Sequence, residues 1–488
     1  MSIDDIPSAE KTASIGPTRP MPAQQYRRSS PSHQQAERAP APHLTTVQRQ
    51  QQPLALRQPP LIQPVQKPGR RCPSKPILIT LVLLIILLAG AGVVELHPFD
   101  GVHGLFTTPA QTAGSFVQPP LKATQINKLR HMVTYMKYKQ LASLYVSRMS
   151  LDVVLGQLFM AGYTDTSYSS DLDMMVKQLH AGGVIMYEFQ MNTFNQTRHD
   201  IAEMQKHATF PLLISTDEEG GPYVHRLSHI YGPRMSATDI ANTGDPHVAA
   251  QQGHEAAHDL LALGINENLA PDVDVNLASS SELATRTFGS TPESVITFAG
   301  PYMQALQGDG VVACIKHYPG LGDAISDPHT GLPVVNRTKD QLYAVELAPF
   351  KAFIQSQNRL DYPGMIMPTD VLMPAIDPKY PAELSHIFMT DILRKEFGYD
   401  GVVLTDALYM QGISQYWSMP EAAVLALNAG NDMLIGPTGA DQMIAMLNGL
   451  KAALRNGTLS RARVDEAATR IIALKMEYHL MPAVPPAE

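Results

Sequence analysis

The sequence predicts a single (β/α)8 barrel preceded by a disordered tail and one transmembrane helix. Three features predict it: eight short apolar runs at helix-length intervals, one long uncharged apolar stretch, and a polar N-terminal region without periodicity. The runs are LFMAGY from Leu158, GGVIMY from Gly182, PLLIST from Pro211, ENLAPDVDV from Glu267, VVACIKHYP from Val311, GMIMPTD from Gly364, GVVLTDAL from Gly401 and NDMLIGP from Asn431. Their hydrophobicity is continuous rather than alternating, as expected of parallel strands covered on both faces, and each gap has room for a crossover helix. A doubly wound open sheet has the same local signature, and the count of eight favours closure.

From the N-terminus, residues 1–76 are rich in Pro, Gln, Ser and Ala, and hold eleven Lys/Arg against four Asp/Glu. Such a segment buries too little apolar surface to offset the entropy of ordering, so it is expected to be disordered. With a net charge of −8 for the whole chain, the rest carries about −15. An acidic body of that kind argues against nucleic acid as a partner.

Ile77–Val94 has no charged residue, and a helix over 77–96 just reaches the length that spans a bilayer. Lys67, Arg70, Arg71 and Lys75 precede it and the next cation is Lys122, which places the tail in the cytoplasm and the large domain outside the cell membrane. A secretory signal peptide cut after Ala89-Gly90-Ala91 is the competing reading. Residues 97–125 read as a stalk, and the barrel domain is expected over 126–482, starting with a helical-looking stretch from Ile126 to Val154. Cys72 and Cys314 stand in unrelated settings and are not expected to pair, and the sequons at Asn195, Asn336 and Asn456 match chance frequency.

Polar residues gather where the runs end: Asp217, Asp272 with Asp274, Lys316 with His317, and Asp406. Catalytic groups of barrel enzymes come from the C-terminal ends of different strands, so these residues point to one pocket. The Gly/Pro-rich stretch GDAISDPHTGLP adds Asp327 and His329 on a loop suited to a mobile flap. A rival signal is His254-Glu255-Ala256-Ala257-His258, an H-E-x-x-H pattern that on a helix can hold zinc. It lies on a helix leading into a strand, in the outer ring of a barrel, and no third ligand stands out.

DEEGG (217–221), RTFG (286–289), KHYPGLG (316–322), DPH (327–329) and TDAL (405–408) together resemble the ordered motif set of glycoside hydrolase family 3 over residues 150 to 480. The Lys-His run followed by Asp-x-His is similar to its β-N-acetylglucosaminidase branch. The resemblance implies a retaining exo-β-N-acetylglucosaminidase with Asp406 as nucleophile, His329 as acid/base and Asp327 orienting it. It further implies that Asp217, Arg226, Arg286, Lys316 and His317 bind sugar hydroxyls, and that no metal or cofactor takes part. The implied partner is carbohydrate: cell-wall fragments, chitin oligosaccharides or glycans. A phosphorylase and a catalytically weak glycan-binding module are the alternatives. The chain departs from the family at Glu218, where Gln is common, at Leu321, where His is common, by one extra residue near Pro222, and by Pro328 within the flap.

Overall fold

The computed structural model describes residues 138–278, 283–324 and 331–483. All eight apolar runs form strands. They are β1 (Phe159–Ala161), β2 (Gly183–Ile185), β3 (Leu213–Thr216), β6 (Glu267–Asn268), β7 (Val312–Tyr318), β8 (Met365–Pro368), β9 (Val402–Ala407) and β10 (Met433–Ile435). They close into a parallel barrel in the order β1-β10-β9-β8-β7-β6-β3-β2, with β10 returning to pair with β1. Between β3 and β6 the chain adds an antiparallel hairpin of β4 (Glu218–Gly220) and β5 (Val224–His225), which sequence periodicity did not reveal.

The strands are buried along their length except at Asp406 of β9, which is partly open, and β7 buries all seven residues of VACIKHY, charged ones included. The surrounding helices are amphipathic. Helix Pro246–Leu263 starts at the Asp245 cap, whose side chain accepts from the His247 amide, and ends at Gly264, whose φ of 95° suits glycine. It buries Ala249, Gly253, Ala256, Ala257, Leu260 and Leu263. His254, Glu255 and His258 face solvent from the same helix, as a solvated outer-ring surface.

The expected fold class needs one correction. Among the described residues no helix is long and apolar enough to cross a membrane. The physical reason is the pattern just described for Pro246–Leu263, where an apolar stripe is packed inward and a polar face is turned to water. The fold class is therefore the closed barrel with its helices. The expected tail 1–76, transmembrane helix 77–96 and stalk 97–125 lie outside the described residues, as does Cys72. Cys314 is a buried free thiol on β7.

Candidate active site

The mouth of the barrel, at the C-terminal strand ends, holds a network of buried charges. Lys316 Nζ lies 2.6 Å from both Asp217 Oδ1 and Glu219 Oε1. Arg286 grips Glu219 with two parallel bonds of 2.8 Å, from Nε to Oε2 and from Nη2 to Oε1. Burial opposes the ionised form of Glu219, yet Arg286 and Lys316 hold its carboxyl well below the usual range. The same network holds Lys316 above its ordinary value, against burial, through Asp217 and Glu219. Glu219 is thus the hinge that ties the two cations together, a part the sequence reading did not assign.

His317 follows Lys316 on β7 and gives its Nδ1 to Asp274 Oδ2 at 2.8 Å. Asp274 Oδ1 accepts from the Leu321 amide at 2.8 Å. The imidazole is largely buried, which lowers its basicity, but Asp274 and then Asp272 raise it further than burial lowers it. Its Nε2 points toward Arg286 Nη2, 3.4 Å away. Asp272, Asp274 and His317 bring one ligand atom each within 4.8 Å of the others. Protein cations already balance that group, since Arg286 Nη2 lies 3.8 Å from Asp272 Oδ2. Burial, with the charge of Asp274, pushes Asp272 up to about 8, against the pull of His317 and Arg286.

Two strands away from β7, Asp406 is the penultimate residue of β9. Its Oδ1 accepts from the Ala407 amide at 2.8 Å and its Oδ2 from the Thr369 hydroxyl at 3.0 Å. Tyr187, at the end of β2, couples the two halves electrostatically, because its hydroxyl feels both Asp217 and Asp406 and meets the Tyr409 hydroxyl at 3.2 Å. A cleft of about 570 Å³ opens beside it, lined by Tyr187, Glu188, Phe189, Asn192, Arg226 and His229.

The structure brings Asp217, Arg286, Lys316 and His317 into one network and sets Asp406 across from them. Arg226 lines the cleft beside Tyr187. Asp327, Pro328 and His329 lie outside the described residues. Two departures find local causes. Glu218, where Gln was expected, pairs with His225 at 2.5 Å and accepts from the Leu227 amide at 3.1 Å. Leu321 is buried, and its amide, not its side chain, serves the site by holding Asp274. The extra residue near Pro222 falls in the turn of the β4–β5 hairpin.

A model of the glycosyl hydrolase family 3 N-terminal domain matches residues 150–474. An uncharacterized secreted glycosyl hydrolase of Arthroderma benhamiae is 31% identical over 354 residues, covering 70% of this chain and 98% of that protein. Beta-hexosaminidase A of Pseudoalteromonas piscicida is 29% identical over 340 residues, 64% of this chain, and the chain spans 56% of its length. Among solved structures, a glycoside hydrolase family 3 beta-N-acetylglucosaminidase from Paenibacillus sp. str. FPU-7 aligns with a TM-score of 0.64 and 35% identity, covering 68% of this chain and 63% of that one.

Proposed function

The chain belongs to glycoside hydrolase family 3, and from that premise we propose that it is a retaining exo-β-N-acetylglucosaminidase. Asp406 is the nucleophile. One of its oxygens attacks the anomeric carbon while the bond to the leaving oxygen breaks, and His329, oriented by Asp327, gives that oxygen its proton. The sugar is then held as an ester on Asp406. Water attacks the same carbon, His329 takes the proton of that water, and the ester bond breaks with the configuration of the substrate restored. The roles of Asp327 and His329 follow from their motif alone.

The observation that carries the reading is the fixed posture of Asp406. Its two oxygens each accept one hydrogen bond, and it faces a wall of donors and acceptors built from Lys316, Arg286, His317 and Asp217. Groups held in charge-assisted pairs present their remaining valences in fixed directions, and an epimer that misses one leaves a buried partner unsatisfied. Arg226, in the wall of the cleft beside Tyr187, is proposed to bind the sugar with them. Cell-wall fragments, chitin oligosaccharides or other glycans ending in N-acetylglucosamine are the proposed substrates.

The test uses the purified full-length chain and a chromogenic aryl N-acetyl-β-glucosaminide beside the matching β-glucoside. Release of the aryl group from the first in preference to the second is expected. Asp406→Ala is expected to lower kcat by about 10⁴-fold or more, the scale on which a lost nucleophile is felt. No release by the unmodified protein, or full activity of the variant, would sink the reading. Addition of phosphate separates a phosphorylase, which would accumulate a sugar 1-phosphate.

A further inference from the structure

Two carboxyl groups beside Asp406 have no part in the chemistry so far. β8 ends on Pro368, and the next two residues, Thr369 and Asp370, are fully buried. The Thr369 hydroxyl donates to Asp406 Oδ2 at 3.0 Å and also lies 3.3 Å from Asp370 Oδ1. A hydroxyl carries one proton, so it can satisfy one of these carboxylates and not both. Glu383 is buried close by with its carboxyl against the Asp406 backbone, and Asp370 Oδ2 has no hydrogen-bond partner. Gly412 closes over Asp370: a Cβ there would fall 1.8 Å from Oδ2, so glycine is what lets the chain approach so near.

Three carboxyl groups in so dry a space do not all ionise. Asp406 is the one with two donors. Burial first, and then the charge of Asp406, pushes Asp370 up to about 8, while His317 on β7 pulls weakly the other way. Burial, with Asp370 and Asp406, holds Glu383 well above the usual carboxylate range. At neutral pH the proton of Asp370 is therefore free to be donated.

We propose that Asp370 is a positioning residue for the glycosidase reaction, donating to Thr369 Oγ1 so that Thr369 commits its single proton to Asp406 Oδ2. This rests on the reading of Asp406 as nucleophile. The relay moves no proton during turnover; it fixes which way the nucleophile points. If Asp370 ionises, it competes for the Thr369 proton and the hold on Asp406 is lost.

The test uses the full-length protein and an aryl N-acetyl-β-glucosaminide with a strongly activated leaving group, which departs without a proton, so that titration of His329 does not govern the first step. Thr369→Val is expected to lower kcat by about 10- to 100-fold, the worth of a hydrogen bond to a charged group. KM should change by less than about threefold, and Thr369→Ser should recover most of the loss. Asp370→Asn keeps an N–H donor and is expected to lose at least about tenfold less than Asp370→Ala. The unmodified enzyme should lose activity as pH rises past about 8, a limb that Asp370→Asn removes. A Thr369→Val enzyme as fast as the unmodified one, or Asp370→Asn falling to the level of Asp370→Ala, overturns the proposal. A second readout needs no turnover: the infrared difference between unmodified protein and Asp370→Asn at pH 7 should contain a protonated carboxyl band. Its absence overturns the relay even if the enzyme is active, and its presence upholds the relay even if the substrate assignment fails.

Discussion

Two neighbouring strands treat an aspartate in opposite ways at opposite ends of the barrel, one fully buried and one partly open to the mouth. Asp432, just before β10, sits at the N-terminal floor among three arginines: Arg394 at 2.5 Å, Arg463 at 2.8 Å and Arg470 at 3.2 Å. The Val403 amide donates to it as well, at 3.1 Å. Burial opposes its charge, but the arginines hold its carboxyl below the ordinary value. Asp406, at the mouth end of β9, has acids for neighbours instead. Among the described residues no Lys or Arg pairs with it, and Asp370 and Glu383 crowd it from β8 and the turn beyond. The floor uses cations to make one anion permanent, whereas the Asp406 side of the mouth packs carboxyls together without them. Surplus cation marks a structural joint, and surplus acid marks a group kept reactive.

The largest effect in a test of this contrast is expected at the floor. Asp432→Ala leaves three buried guanidinium groups without their anion, and breaking a buried pair in this way costs about 3–5 kcal/mol. Urea unfolding of the variant should show that loss. A cost below about 1 kcal/mol would mean that water reaches the arginines and that the floor is no different from a surface pair.

A smaller effect, opposite in its pH dependence, is expected at the mouth. The folded-state pKa of Asp432 is depressed, so its contribution to stability is present above the unfolded value of 3.8 and lost as pH falls through the folded one. That of Asp370 is raised from 3.8 to about 8. Between those two values the folded state binds the extra proton, so stability declines as pH rises and levels off above 8. Asp370→Asn should flatten that decline in urea titrations at pH 5 to 8. Part of it should remain, because Asp272 is raised to about 8 as well. Identical slopes in variant and parent would show that Asp370 is ionised throughout and that the crowding is only apparent.

The barrel was legible because continuous apolar runs have few other uses, and all eight became strands in the expected parallel order. The β4–β5 hairpin was not, since DEEGG carries no apolar alternation and its strands are only three and two residues long. The ENLAPDVDV run pairs as a regular strand only over Glu267 and Asn268, because beyond Pro271 the Asp272 side chain accepts the Asp274 amide at 2.9 Å in place of a ladder bond. In the site, strand ends located Asp217, Lys316, His317 and Asp406. The same rule, applied to GMIMPTD, would have found Thr369 and Asp370. Nothing local could have found Glu383, which arrives at the mouth on a short turn after the long excursion Val371–Pro381. Nor could it place Arg226 in the wall of the cleft beside Tyr187, because which wall a loop residue joins is decided by packing.

The least effect is expected where sequence alone offered a different chemistry, on the outer helix. His254 pairs with Asp309 at 2.6 Å with both side chains well exposed, and His258 is 81% exposed. An exposed pair contributes about 0–1 kcal/mol, and side chains this free hold no ion in fixed geometry. His254→Ala with His258→Ala should therefore hydrolyse the aryl glucosaminide at the parental rate, and a chelator should slow neither protein. Chelator sensitivity lost in the double variant would place a functional metal on the outer ring, far from the mouth, and the division between structural charge at the floor and reactive charge at the mouth would no longer describe the enzyme. Sensitivity retained in the variant would instead direct attention to Asp272, Asp274 and His317, whose charge balance with Arg286 would then have to be redrawn.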